Sequence, residues 1–209
     1  SITDATIAPD SGKPHYAEKL CRLPEVFMPN DEKRLIADNP VTRADVGLPE
    51  DAVVFCSFNR SFKLDAESVN LWMRILARVP GSVLWQKADE THMKRVFLDA
   101  AARHGIAPER IIFAGNTSSV SLHLARAGLA DLGLDTLIYN GHTITSDMLW
   151  AGVPVITREG AHFASRVSAS LLRAVGLNDC VAENIAAMED LAVSLATNPA
   201  RRAALRERL

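Results

Sequence analysis

The side chains able to do chemistry gather in three loops. In the first, Phe58-Asn59-Arg60-Ser61-Phe62-Lys63, two cations stand three residues apart, just ahead of Asp65, a residue type that caps helices. Arg60 and Lys63 can face one anion together with the amides of the helix start, or they can be solvated loop cations. The second loop, Gly115-Asn116-Thr117-Ser118-Ser119, leads into a stretch carrying His123 and Arg126. Three apart on a helix, an imidazole and a guanidinium share one face, on which a planar base can stack. The bland alternative is a surface His beside an Arg favoured by the helix C-terminal dipole. The third loop runs from Asp135 through Tyr139-Asn140-Gly141-His142 to Thr143-Ile144-Thr145-Ser146-Asp147. Its small hydroxyl residues are placed to start a helix that continues into Met148-Leu149-Trp150, and amides at such a start favour a phosphate oxygen. Asp147 is expected in the first turn of that helix, either as a dipole-stabilised carboxylate or as the holder of a ribose diol.

Other chemistries lack their residues. The chain contains neither GxxxxGK[ST] nor GxGxxG, neither Asp-x-Asp nor HExxH, and no GxSxG elbow. A diphosphate bound here would have to be neutralised by Arg60, Lys63 and the helix end, without a divalent ion. Cys21, Cys56 and Cys180 are odd in number and form no CxxC pair, which argues against disulfides and structural zinc and predicts buried free thiols.

The elements that must position these loops are legible in the pattern of the chain. Its 209 residues, 48% hydrophobic and 23% charged, fit one packed core rather than a disordered or fibrous chain. A formal net charge of -2 without an internal basic run gives no footprint for nucleic acid. No apolar stretch approaches the roughly 20 residues of a membrane span, and the N-terminus lacks the pattern of a signal peptide; a cytoplasmic protein is expected. Six of the ten prolines fall before residue 50 and nine of the eleven glycines after residue 80. Residues 1–48 therefore read as an irregular arm with short helical pieces near 17–21 and 42–46. From residue 49 onward, short apolar runs at 52–58, 82–86, 110–114, 130–134 and 153–157 predict buried strands. Helices are expected over 66–79, 91–104, 120–127, 164–175 and 185–197, the first three beginning or ending at Asp65, Gly105 and Ser118 or Ser119. Such alternation implies an α/β fold, a Rossmann-like parallel sheet with helices on both faces, whose ligands sit at the carboxyl ends of the strands.

The residues also carry a family resemblance. Leu48-Pro49-Glu50-Asp51-Ala52-Val53-Val54-Phe55-Cys56-Ser57-Phe58-Asn59, Arg78-Val79-Pro80 with Ser82-Val83-Leu84-Trp85, Asn140-Gly141-His142-Thr143 with Asp147 and Leu149-Trp150-Ala151-Gly152-Val153-Pro154-Val155, and Ala164-Ser165-Arg166-Val167 resemble the C-terminal catalytic half of the O-GlcNAc transferases. In the arm, Ile2-Thr3-Asp4 and His15-Tyr16-Ala17-Glu18-Lys19-Leu20 resemble the segment by which that family leaves its N-terminal lobe. The resemblance implies one lobe of a two-lobed GT-B glycosyltransferase: an arm over 1–48, the tail end of the first lobe, and a nucleotide-sugar-binding lobe over 49–209. It implies UDP-N-acetylglucosamine as donor, inverting transfer to protein Ser or Thr hydroxyls, and no metal or other cofactor. Protein acceptors would be bound by the N-terminal lobe and by tetratricopeptide repeats, both upstream of Ser1 in the family. The family also continues past Leu209, so the chain is expected to be an excised fragment, able to bind UDP and unable to transfer sugar alone. By residue, Lys63 meets the diphosphate and the leaving UDP, His123 stacks on uracil with Arg126 beside it, His142 approaches the sugar, Thr143 a phosphate and Asp147 the ribose. The sequence departs from the family pattern at Arg60, Val120 and Ile144. Those departures leave open a different UDP-hexose, or a non-catalytic nucleotide-binding module of the same fold.

Overall fold

The structure, a computed structural model, describes residues 1–11, 16–38, 41–88 and 90–209; His15 of the arm lies outside them. In the arm, β1 (Ile2–Thr3) pairs in parallel with β2 (Cys21–Arg22). The helical piece expected at 17–21 is absent: Cys21 and Leu23 donate their amides to Ser1 and Thr3 carbonyls at 2.8 and 2.7 Å, which commits that backbone to a ladder. Cys21 is consequently exposed, against expectation, while Cys56 and Cys180 are buried. The piece near 42–46 is a single 3-10 turn, Ala44–Val46, ended by Gly47 at a φ of 72°. The arm is fastened at Asp4, whose buried carboxylate accepts from the amides of Thr6, Ile7 and Phe27 and from the Ser170 hydroxyl at 2.6 Å.

The expected strands are all present: β3 (Val54–Ser57), β4 (Val83–Lys87), β5 (Ile111–Ala114), β6 (Leu132–Leu134) and β7 (Val155–Arg158). Each starts later than its apolar run, because only the stretch flanked by a partner joins the ladder. The helices are α1 (Ala66–Arg78), α2 (Thr91–Arg103), α3 (Val120–Ala127), α4 (Thr143–Trp150), α5 (Val167–Ala174), α6 (Ile185–Ala196) and α7 (Pro199–Arg206). Local chemistry sets their ends. Asp65 accepts from the Ser68 amide to begin α1, and Ser119 accepts from the Leu122 amide to begin α3. Gly105 follows α2 at a φ of 67°, a conformation open to glycine at no steric cost. A sixth strand, β8 (Val181–Ala182), was not expected; two residues carry no periodic signal.

The six lobe strands lie in the order β5-β4-β3-β6-β7-β8, all parallel. The chain therefore builds outward from β3 to β5, returns across the sheet, and builds outward again from β6 to β8. The order reverses between β3 and β6, and a crevice opens beyond the carboxyl ends of such a pair. Helix α1 packs on α2 and α6, and α4 on α3 and α5, giving the two helical layers that cover the sheet. Trp72, Trp85, Phe55, Phe58 and Phe97 are fully buried among them and fix the layers against each other.

Candidate functional site

The first and third chemical loops leave the two strands that flank the reversal point, and the second leaves β5 at the sheet edge on the same carboxyl side. The first follows β3 and forms a 3-10 turn, Ser61–Lys63; the third follows β6 and leads into α4. Lys63 joins them, donating from Nζ to the Asn140 carbonyl at 2.8 Å and lying 4.1 Å from the centre of the Tyr139 ring. Half-burial lowers the pKa of Lys63 and the Asp135 carboxylate nearby acts against that shift. The second loop follows β5 and brings α3 alongside α4.

Between them lies a cleft of about 660 Å³, within the roughly 300–1,000 Å³ usual for small-molecule sites. It is lined by Arg60, Lys63, His123, Arg126, Thr143 and Asp147, six of the seven residues singled out from the sequence. Arg60 is exposed and Lys63 half-buried. Arg126 is buried; its guanidinium donates to the Gly115 carbonyl at 2.5 Å and lies 5.1 Å from the centre of the Phe58 ring. The His123 ring sits 5.6 Å from Phe58, edge to face. Burial, the largest influence, holds the His123 pKa below its ordinary value; Asp147 opposes this, and Arg126, Lys87 and Arg34 add to it. At neutral pH the ring is thus uncharged and presents an aromatic face.

His142 is the residue outside this group. It does not line the cleft; its ring lies 5.0 Å from Tyr139 and 6.3 Å from Phe163 in an aromatic wall. Burial and the Lys63 charge lower its pKa as well. Asp147 also departs from expectation. Helix α4 begins at Thr143, so Asp147 falls in its second turn and no acid occupies the first. No side chain caps the start of α4, and Thr143 and Ile144 line the cleft there, leaving helix amides available to an anion.

The α4 start is held from below by a residue that the sequence reading did not single out. Asp135 is wholly buried, accepts from the Gly141 amide at 2.7 Å and from the Thr157 hydroxyl at 2.6 Å, and has its pKa raised chiefly by burial. Gly141 is required there: a Cβ would come within 2.5 Å of Thr145 Oγ1 and 3.3 Å of Asn59 Oδ1. Asp135 and Asn59 were visible as polar residues at strand ends. Lys87, at the end of β4, and Arg34, 113 positions from its partner Asp147, had no local signal.

A larger cavity of about 760 Å³ lies among Val26, Met28, Leu149, Trp150 and Leu171 and is mostly apolar. Its polar lining is Asn30, Arg34, Ser146 and Arg208, none of them among the residues singled out from the sequence, so the first cleft is the better candidate for chemistry.

Residues 33–209 match glycosyl transferase family 41. The chain is 40% identical, over its whole length, to the probable UDP-N-acetylglucosamine–peptide N-acetylglucosaminyltransferase SEC of Arabidopsis thaliana, of which it covers 22%. Three-quarters of it is 38% identical to the UDP-N-acetylglucosamine–peptide N-acetylglucosaminyltransferase of Caenorhabditis elegans, of which it covers 14%. The chain thus spans about a fifth or less of these relatives. Among solved structures, a point mutant of the Thermobaculum terrenum O-GlcNAc transferase superposes with a TM-score of 0.86 at 32% identity, over 99% of this chain and 39% of that one. The glycosyltransferase WaaG, at 19% identity and a TM-score of 0.67, shares the fold. The parallel lobe is one half of the GT-B architecture, and with its sequence matched almost from end to end the chain belongs to glycosyl transferase family 41.

Proposed function

We propose that this chain is the donor-binding lobe of an inverting, metal-independent protein O-glycosyltransferase that uses UDP-N-acetylglucosamine. The observation that carries this reading is the convergence of Lys63, His123, Arg126, Thr143 and Asp147 on one cleft at the strand reversal. In that cleft a neutral His123 offers its face to uracil, with Arg126 beside it. The carboxylate of Asp147 accepts from the ribose. Thr143, the open amides of α4 and Lys63 surround the diphosphate, and Lys63 stabilises the UDP that departs as the sugar moves to an acceptor hydroxyl. Two opposing charges 4 Å apart at the edge of a protein interact by about 4 kcal/mol before desolvation, so one well-placed lysine is a large part of diphosphate binding. The names of the relatives agree with this donor and with protein acceptors, whose recognition belongs to a first lobe and a repeat array outside the chain.

Calorimetry with UDP tests the reading. Wild-type protein should bind UDP and melt at a higher temperature with millimolar UDP, since ligand at 100 times its Kd stabilises by about 2.7 kcal/mol. Lys63→Ala should lose most of that shift. The absence of both heat and thermal shift in the wild type would remove the donor-lobe reading. Arg60 and Ile144, where the sequence departs from the family pattern, both line the cleft and support a second reading with another UDP-hexose. Competition of UDP-N-acetylglucosamine against UDP-glucose for the same site separates the two.

A further inference from the structure

The arm reaches the cleft through one side chain. Arg34 donates from Nη1 to Asp147 Oδ1 at 2.5 Å, and both side chains are largely buried, with 20% and 11% of their surface exposed. The main chain of the arm is fixed at this contact and just after it. The Arg34 carbonyl accepts from Trp150 Nε1 at 3.2 Å, and the Ala37 amide donates to the Ser121 carbonyl at 3.2 Å. Asp147 and Trp150 stand three apart and share one face of α4, so Arg34 grips that face with two groups. Ser121 belongs to α3. The stretch from Arg34 to Ala37 therefore ties together the two helices whose residues form the cleft.

The arrangement is poorly explained as a device for stability. Nε and Nη2 of Arg34 are buried and meet no acceptor among the described residues, and a partly satisfied buried ion pair is a weak source of stability. It is well explained as orientation. With Oδ1 engaged, the second carboxylate oxygen, Oδ2, lies 3.7 Å from His123 Nε2, beyond hydrogen-bond reach, and its residue lines the cleft. Oδ2 is thus the acceptor left for a ligand hydroxyl. We propose that Arg34 is a positioning residue for the donor site: it locks the Asp147 carboxylate so that Oδ2 accepts from a ribose hydroxyl of the nucleotide. The inference rests on the donor-lobe reading and extends it to a residue of the arm.

The test compares UDP with its 2′,3′-dideoxyribose counterpart by calorimetry on the full chain. Hydrogen bonds to charged groups contribute about 1.5–3 kcal/mol, so the wild type should bind UDP at least about tenfold more tightly than the dideoxy nucleotide. In Arg34→Ala that preference should fall to within about twofold, with the affinity for the dideoxy nucleotide nearly unchanged, and Asp147→Asn should behave alike. Arg34→Gln, which keeps length and a donor without the charge, serves if the alanine variant folds poorly, and should retain part of the preference. A variant that weakens both nucleotides equally, or that keeps the wild-type ratio, overturns the proposal, as does a wild type without preference. Wild-type protein that fails to bind UDP at all overturns the donor reading and this inference together, an outcome distinct from the others.

Discussion

Replacing Gly141 by Ala probes how the cleft is built. A Cβ at this position meets Thr145 Oγ1 at 2.5 Å, about 0.9 Å short of the 3.4 Å at which ordinary contact begins. Neither side can yield freely. The Gly141 amide is bonded to buried Asp135 and its carbonyl accepts from the Ser168 hydroxyl at 2.9 Å, while that hydroxyl also bonds Thr145 Oγ1 at 2.7 Å. Relief therefore requires Thr145 to rotate and surrender a buried hydrogen bond, or the start of α4 to move outward. Overpacking costs about 1–3 kcal/mol and a lost buried hydrogen bond about 1 more, so a destabilisation of about 2–4 kcal/mol is expected. For a domain of this size that lowers Tm by about 4–16 °C. Because Thr143 and Ile144 move with the helix start, UDP affinity should fall by about tenfold, a loss of roughly 1.4 kcal/mol. Thermal melting with and without UDP, together with calorimetry, measures both effects. Gly115→Ala is the control: its Cβ meets nothing within 4 Å, and its Tm should stay near that of the wild type. If Gly141→Ala melts within 2 °C of wild type, by an effect too small for about 1 kcal/mol, and binds UDP equally well, the tight packing under α4 is wrong.

Other outcomes follow from single groups. Asp4→Ala leaves three amides and the Ser170 hydroxyl without their acceptor; it should cost about 2–4 kcal/mol in urea denaturation and make the arm the first site of limited proteolysis. His123 and His142 are both held neutral by burial, with pKa values below the ordinary 6.5. The unfolded chain then binds more protons than the folded one as pH falls through 6.5, so stability should drop on the acid side of that value. His142→Phe, at a site already walled by Tyr139 and Phe163, should flatten the urea-midpoint profile between pH 6.5 and 5. A profile unchanged by this substitution would mean that His142 is not buried as a neutral ring.

Much of the lobe was legible in the sequence because its determinants are local. Apolar runs of strand length, helices opened by Asp65 and Ser119, and polar residues stranded at strand ends each follow from neighbours a few positions apart. The strings shared with the O-GlcNAc transferases carried the family by the same local route. What spacing could not supply is strand order. The alternation of strands and helices is the same whichever strands are neighbours, and only the pairing of β3 with both β4 and β6 brings Lys63 beside Asn140 and opens the cleft between their loops. The start of α4 as early as Thr143 put Asp147 in the second turn rather than the first, and the packing of Tyr139 and Phe163 placed His142 in the aromatic wall. Arg34 was out of reach for the same reason. It sits in an arm without periodicity, and its role exists only because the folded chain lays that arm across two helices far along the sequence. Residue types and their neighbours determined the elements and the chemistry available; which side chains share a cleft was decided by long-range packing of the sheet and of the arm upon it.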